Sequence, residues 1–434
     1  MNNHIKEQKE QTEQAEQTIT NVSSPLPHKE GKGDKFTPIL FLILGIFLGF
    51  VGYLFIDHHY YGSNSQHYQK SDTLHLADGS TYHGEISADR QPNGYGMLIT
   101  TAGNRLTGEW KNGRLSKGTL LSDKDSYYGG LRNYVPDGYG KMTYGINDST
   151  FIGRWHQGKR QGVGKLILSS DSIVFGRWDN DTLSLRNPFT IGERVYGIDV
   201  SRFQHSIDWG NLSLRSDSLG RICKDERSDG ITGYYFGNAE VNYLQPVHFV
   251  FMKSTDGAYR IDPFYYRNHE AARECGIIVG IYHFLRYEPI EEQIENFIAN
   301  VQMEKGDLPP VLDMEDDYKD HALTQHSVEY VSMALKWLHA IEAHFGVRPI
   351  IYMNKNNYLK FALGTELEEY DCWIANYNKT AQDPETECDW RFWQMSCKGT
   401  VNGIQYKDMS HVDLNVFHGN LKEFRKYVEE FGVK

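Results

Sequence analysis

The chain has 434 residues, 39% of them hydrophobic and 13% aromatic, with a formal net charge of -12. That length exceeds one average domain and points to two or three. The acidic balance excludes a nucleic-acid partner, which would need a basic face, and removes attraction to anionic wall polymers as a driver of encounter.

Residues 1–38 are polar and rich in Gln, Glu and Lys, with almost nothing to bury, so they read as a disordered tail. Ile39 to Ile56 is an unbroken run of 18 apolar or Gly residues, at the lower end of what spans a bilayer. It lacks the polar face of a globular helix, and no small-x-small cleavage site follows it, so a single transmembrane helix is predicted over 39–56. Lys29, Lys32 and Lys35 precede the run, while Asp57, His58 and His59 follow it. The positive-inside rule then places the N-terminus in the cytoplasm. Everything after residue 56 is expected on the periplasmic or extracytoplasmic side of the cytoplasmic membrane. Residues 57–81 read as a linker.

Over 82–183 an internal repeat appears, with Gly84, Gly108, Gly129, Gly153 and Gly176 recurring every 21 to 24 residues. Trp110, Trp155 and Trp178 each stand two places after their Gly, and Gly94-Tyr95-Gly96, Gly138-Tyr139-Gly140 and Gly162-Val163-Gly164 lie between. Glycines at fixed offsets are expected to supply the positive φ of tight turns, and the alternating aromatic, Thr and Ile residues fit short strands, so each unit reads as a β-hairpin. These units resemble MORN repeats, about four and a fraction of them. The second is degenerate around Ser116-Lys117-Gly118, and Leu131 replaces one Trp. The resemblance implies an elongated β-sheet. Two readings stand open: a surface for a protein or envelope partner, and a passive stalk that caps the next domain.

Residues 184–192, with Asn187-Pro188, form a junction, and from 193 to 434 the texture changes. Apolar strands are predicted at Val195–Val200, Val247–Lys253, Ile277–Phe284, Pro310–Met314, Pro349–Met353, Cys372–Ala375 and Phe392–Met395. Helix-spaced segments intervene, among them Pro289–Val301 and Ser327–Phe345. Such alternation argues for a parallel α/β barrel, whose chemistry sits at the C-terminal strand ends. The five cysteines, Cys223, Cys275, Cys372, Cys388 and Cys397, include no C-x-x-C pair, so neither a metal site nor a cofactor is implied. Either one or two disulfides form, with Cys372, Cys388 and Cys397 as the group, or the thiols are isolated and buried.

Within the fourth strand, Leu308-Pro309-Pro310-Val311-Leu312-Asp313-Met314-Glu315 delivers two carboxylates one residue apart. Side chains at i and i+2 of a strand leave on one face, roughly 6.5–7 Å apart, so Asp313 and Glu315 are expected to point together. Each negative charge raises the pKa of the other, and burial adds to the shift, which suits a proton donor beside an ionised partner. Other strand ends bring Asp199, Lys253, Tyr282, His283, Tyr352, Trp373, Tyr377, Trp393, Gln394 and Asp413. Converging acids and aromatic planes describe a sugar cleft.

In order along the chain stand Gly197-Ile198-Asp199-Val200-Ser201, Lys253-Ser254-Thr255-Asp256-Gly257, Tyr282-His283-Phe284, Asp313-Met314-Glu315, Pro349-Ile350-Ile351-Tyr352, Trp373-Ile374-Ala375, Phe392-Trp393-Gln394 and Val412-Asp413-Leu414-Asn415. This series resembles glycoside hydrolase family 25, the N,O-diacetylmuramidase lysozymes, through nearly all of residues 193–420. The resemblance implies an irregular (β/α) barrel of TIM type, with five β/α units followed by three strands. It also implies cleavage of the β-1,4 bond between N-acetylmuramic acid and N-acetylglucosamine in peptidoglycan. Carried onto this sequence, the acidic site falls on Asp199, Asp313, Glu315 and Asp413. Glu315 is the expected general acid and base. Asp313 either orients the substrate's 2-acetamido group or acts as covalent nucleophile. Tyr282, His283, Lys253, Tyr352, Trp373, Tyr377, Trp393 and Gln394 are the expected substrate-binding residues.

Two departures stand out: an insertion at about 211–245, and Asp256 where Glu is common. Neither removes an acid. The rival readings are a non-catalytic peptidoglycan-binding scaffold, and a metal-dependent carbohydrate deacetylase using the carboxylates and His283 as ligands.

Overall fold

A row of paired glycines organises the repeat sheet. In the computed structural model, which describes residues 69–170, 173–186, 194–216, 222, 243–316, 321–377, 384, 386–404 and 411–434, eleven antiparallel strands run in sequence order from Gln69–His75 to Thr182–Arg186. Nine glycines face one another across successive strands, from Gly84 opposite Gly96 through to Gly164 opposite Gly176. Aromatic rings lie over this row. A Cβ on Gly96 would fall 2.1 Å from the Tyr82 hydroxyl, and one on Gly164 would fall 2.4 Å from the Phe151 ring. This corrects the expectation that the fixed-offset glycines make the turns: they sit within strands, where any side chain would collide. The turns instead use residues such as Asn112, Asn133 and Gln157, each at positive φ. The degenerate second unit keeps the pattern, with Gly108 opposite Gly118. Tyr82, Trp110, Tyr127, Phe151, Trp155 and Trp178 share one core on that face.

The second half closes a barrel of eight strands: β1 (Val195–Val200), β2 (Phe249–Asp256), β3 (Ile278–Phe284), β4 (Val311–Asp313), β5 (Ile350–Asn354), β6 (Asp371–Ala375), β7 (Trp390–Gly399) and β8 (Val412–Phe417). Strands β1 to β7 run parallel, and β8 pairs antiparallel with both β7 and β1. Full helices α1 (Tyr265–Glu274), α2 (Ile290–Asn300) and α3 (Ser327–Phe345) follow β2, β3 and β4, and α4 (Leu421–Phe431) ends the chain. Of the five expected β/α units, therefore, three carry a full α-helix. Short 3-10 turns follow β1, and brief helical turns follow β5. Helix α3 stops at Gly346, whose φ of 68° is the left-handed cap that glycine adopts freely.

The inside of the barrel is layered by the period-2 alternation of its strands. Phe249 fills the space that Gly197 leaves, Phe251 the space that Gly280 leaves, and α4 lays Phe424 and Tyr427 against the same cluster. The described parts of the 211–245 insertion give two short strands, Ser213–Ser216 and Tyr243–Gln245, which pair with each other; the first also pairs with Val401–Asn402.

The repeat sheet seats directly on the barrel. Tyr139 packs over Gly210, where a Cβ would meet its ring at 2.5 Å. Arg154 donates to both carboxylate oxygens of Asp208 at 2.7 Å, Lys165 donates to the Gly276 carbonyl at 2.7 Å, and Lys117 pairs with Glu274. Val163 and Phe175 pack on Leu244. Leu244 and Gly276 lie in the segments that enter β2 and β3, at the opposite ends of those strands from Lys253 and Tyr282. The tail 1–38, the run 39–56 and the first part of the linker, 57–68, lie outside the described residues, whereas from Gln69 onward the expected linker belongs to the repeat sheet. Among the described residues no helix is long and apolar enough to cross a membrane.

Candidate active site

At the C-terminal strand ends the inward positions turn from aromatic to acidic. Asp199 ends the inward series of β1, and Asp413 lies opposite it in the antiparallel pairing with β8. Asp199 Oδ1 accepts from Asn415 Nδ2 at 2.7 Å and from Gln394 Nε2 at 3.0 Å. Behind those amides stands an outer ring of donors. Tyr352 and Tyr377 both donate their hydroxyls to Gln394 Oε1, at 2.9 and 2.6 Å, and Trp373 Nε1 donates to Asn415 Oδ1 at 2.8 Å. The acceptor ends of both amides are thereby occupied, so their NH2 groups must point at Asp199.

Asp199 and Asp413 also share a hydrogen bond, which requires a proton between them. Burial, and then the charge of Asp199, lift Asp413 well above the ordinary carboxylate range. Burial lifts Asp199 too, but the bonds from Asn415, Gln394 and Asp413 oppose that lift. The proton therefore sits on Asp413, and Asp199 is the anion of the pair.

Strand β4 ends at Asp313, two residues short of Glu315, the far end of the Asp-x-Glu pair expected on one strand. The extended path nonetheless continues, because the Met314 N–H donates to the Tyr352 carbonyl. Glu315, half-buried, faces the same space: its charge bears on Asp313, Tyr352, Tyr377 and Asp413. Burial, then Glu315, push Asp313 well above the carboxylate range, and Lys253 pulls the other way. Asp313 Oδ1 is buried with no hydrogen-bond partner. An acceptor of that kind is costly unless a further donor arrives.

The remaining expected contacts divide by strand face. Tyr282, Tyr352, Trp373 and Gln394 point into the barrel, and Tyr377 stands at the rim, 38% exposed. Trp373 stacks on Phe251 at 4.3 Å and forms a floor rather than an open wall. Lys253 is engaged: its Nζ lies 3.2 Å from Asp256 and 4.3 Å above the Phe284 ring. Asp256 also binds Arg260 and Arg286; against the lift from burial, Arg286, Lys253 and Arg260 hold it well below the usual range.

Two expectations are corrected. His283 faces out of the barrel, between Thr255 Oγ1 at 2.8 Å and Gln293 Oε1 at 3.2 Å, and stacks on Trp337 of α3; burial pushes it down to about 4. It can neither touch a sugar nor hold a metal beside the acids. Trp393 likewise points outward, donating to the Asn376 carbonyl at 2.8 Å in the core shared with Trp390. Asn415 is the residue that sequence reasoning left without a role. Its signal was the i+2 spacing from Asp413 on one strand face.

Residues 198–404 match the family model described as glycosyl hydrolases family 25, and residues 127–149 and 151–172 match the MORN repeat. The chain is 33% identical over 243 residues to the uncharacterized protein YegX of Escherichia coli K12, covering 55% of this chain and 75% of that one. It is 25% identical over 235 residues to lysozyme M1 of Streptomyces globisporus, 52% of this chain and 68% of the other. A family 25 glycosyl hydrolase from Bacillus anthracis, among solved structures, aligns at 26% identity and a TM-score of 0.40, over 54% of this chain and 93% of that one. The chain belongs to glycosyl hydrolase family 25. As a family 25 enzyme it is a glycoside hydrolase of the muramidase class, and it carries MORN repeats ahead of the catalytic barrel. The four acids of this family 25 domain meet at one end of the barrel, on β1, on β8 and at the end of β4. The repeat sheet touches segments that enter strands at the other end.

Proposed function

We propose that the barrel hydrolyses the β-1,4 bond between N-acetylmuramic acid and N-acetylglucosamine in peptidoglycan, with Glu315 as general acid and then base. The observation that carries this reading is the buried, unpartnered Asp313 Oδ1 beside Glu315. An acetamido N–H of the bound sugar supplies the donor which that oxygen lacks. Donation to Asp313 favours its anion, so the proton that the free enzyme keeps on Asp313 passes to Glu315. Glu315, the more open of the two, then protonates the leaving oxygen, and the oriented acetamido carbonyl attacks the anomeric carbon. Charge on Asp313 stabilises the positive charge that develops there. Water activated by Glu315 completes the hydrolysis with retention. Asp199, fixed as an anion by Asn415 and Gln394, anchors the sugar or the network around it.

The 18-residue apolar run at 39–56 supports a membrane anchor, with the N-terminus cytoplasmic and the barrel outside. In chain order the repeats fall between the anchor and the barrel, which suits a spacer or the seat of an envelope partner. A fusion of a periplasm-dependent phosphatase to the C-terminus should be active; a silent fusion in a stably expressed protein would reverse the orientation.

Digestion of purified peptidoglycan followed by mass analysis of the new reducing ends tests the chemistry. Ends in N-acetylmuramic acid are expected, and ends in N-acetylglucosamine would sink the assignment. Glu315→Gln should lower kcat by at least about 10³-fold with folding intact. Equal, negligible release by both forms would favour the non-catalytic scaffold.

A further inference from the structure

We propose that Cys372 and Cys388 are a cross-linking site, two thiols placed to form one intramolecular disulfide at the back of the cleft. Cys372 lies on β6 and points outward, since its neighbour Trp373 fills the barrel interior. The β6 to β7 register sets Cys372 beside Trp390, so Cys388 sits two residues upstream on the adjoining chain. Both side chains are almost wholly buried, 1% and 4% exposed, in one hydrophobic core. There the two thiols interact side chain to side chain, and the Tyr358 hydroxyl interacts with Cys388. Neighbouring thiols that share one buried pocket need to close only to the roughly 2 Å of a sulfur–sulfur bond.

The other described cysteines are engaged elsewhere. Cys275 follows α1 and contacts Tyr139 of the repeat sheet, while Cys397 faces Asp413 and Tyr377 on the cleft side of β7. The connection that the bond would close carries Tyr377, whose hydroxyl holds Gln394 at 2.6 Å. A bridge at its base fixes where that connection starts and ends, and so supports the ring of donors around Asp199.

Formation requires an oxidant, and a small-molecule or protein disulfide supplies it. The two thiols give up two protons and two electrons; one sulfur–sulfur bond forms in the protein, one breaks in the donor, and the donor leaves as two thiols. Burial disfavours both thiolates, so exchange proceeds through local opening.

The test uses the full native chain, incubated with excess oxidised glutathione until the number of alkylatable thiols is constant. The protein is then quenched with N-ethylmaleimide in denaturant, digested and mapped by mass spectrometry. A Cys372–Cys388 linked peptide that reduction abolishes is expected. The oxidised protein should also melt several degrees above the reduced one, a difference that Cys372→Ala should lose. Alkylation of both residues overturns the proposal. So does a glutathione adduct on either one, or a bridge from either to Cys223, Cys275 or Cys397.

Discussion

Repeat sheet and barrel use the same aromatic donors but aim them at different acceptors. In the sheet, Tyr82 and Tyr127 donate to the backbone carbonyls of Glu85 and Gly130, both at 2.8 Å, while Trp110 and Trp155 donate to Gly96 and Gly140. The partners recur along the repeats: each Trp bond crosses to the preceding strand and holds one hairpin to the next, while each Tyr bond closes within its own strand. In the barrel, Tyr352, Tyr377 and Trp373 donate to the side-chain amides of Gln394 and Asn415, and those amides hold a buried carboxylate. The first arrangement builds a surface that can be extended by copying. The second converges on one charge and exists once. An aromatic hydroxyl or indole thus marks function by what its acceptor does next.

If that contrast is right, damage to the sheet should cost stability and leave the chemistry untouched. The largest effect is expected from Trp155→Ala, which empties a buried site between Tyr127 and Phe151. Large aromatic truncations of this kind cost about 3–5 kcal/mol. Denaturant melts should show the repeats unfolding early, while kcat on peptidoglycan fragments stays within about twofold. A collapse of kcat at temperatures where the barrel remains folded would mean that the sheet takes part in the cleft.

Asn415→Leu should give the converse. It removes a donor to Asp199 and strands the Trp373 indole, and buried groups left unpaired in this way cost about 1–3 kcal/mol. A penalty of that size in the transition state corresponds to a fall of about 10–100-fold in kcat/KM. Unchanged kinetics on peptidoglycan would show that Asp199 needs no fixing.

Much of this was legible in the sequence, because the strands of the barrel are short apolar runs between turn signals, and helix Ser327–Phe345 has the bounds that its periodicity predicts. The four acids were legible as strand-end residues. Side-chain direction was within reach but overlooked: with Tyr282 and Phe284 inward, His283 must face out, and with Gln394 inward, so must Trp393. The glycine row was beyond reach. Its meaning depends on which residues face each other across strands, and only the pairing reveals that Gly96 lies beneath Tyr82. The same holds for the thiol contact between Cys372 and Cys388, which belongs to the β6 to β7 register rather than to any spacing.

The smallest effect is expected where the two acids share a proton. If Asp413 serves only to donate to Asp199, then Asp413→Asn, which keeps an N–H donor, should hold activity within about tenfold, well short of the 10²–10⁴ lost with a general acid or base. Stability should report the same proton. A carboxyl whose folded pKa lies above its unfolded value favours the fold fully below the unfolded value of about 3.9, and that contribution disappears as pH rises through the folded pKa. The asparagine has nothing to titrate, so its stability relative to wild type should improve from pH 4 upward and then level off. Thermal midpoints of both proteins across that range would show the widening gap. A constant gap would mean that Asp413 stays ionised across that range and that the shared proton rests on Asp199 instead.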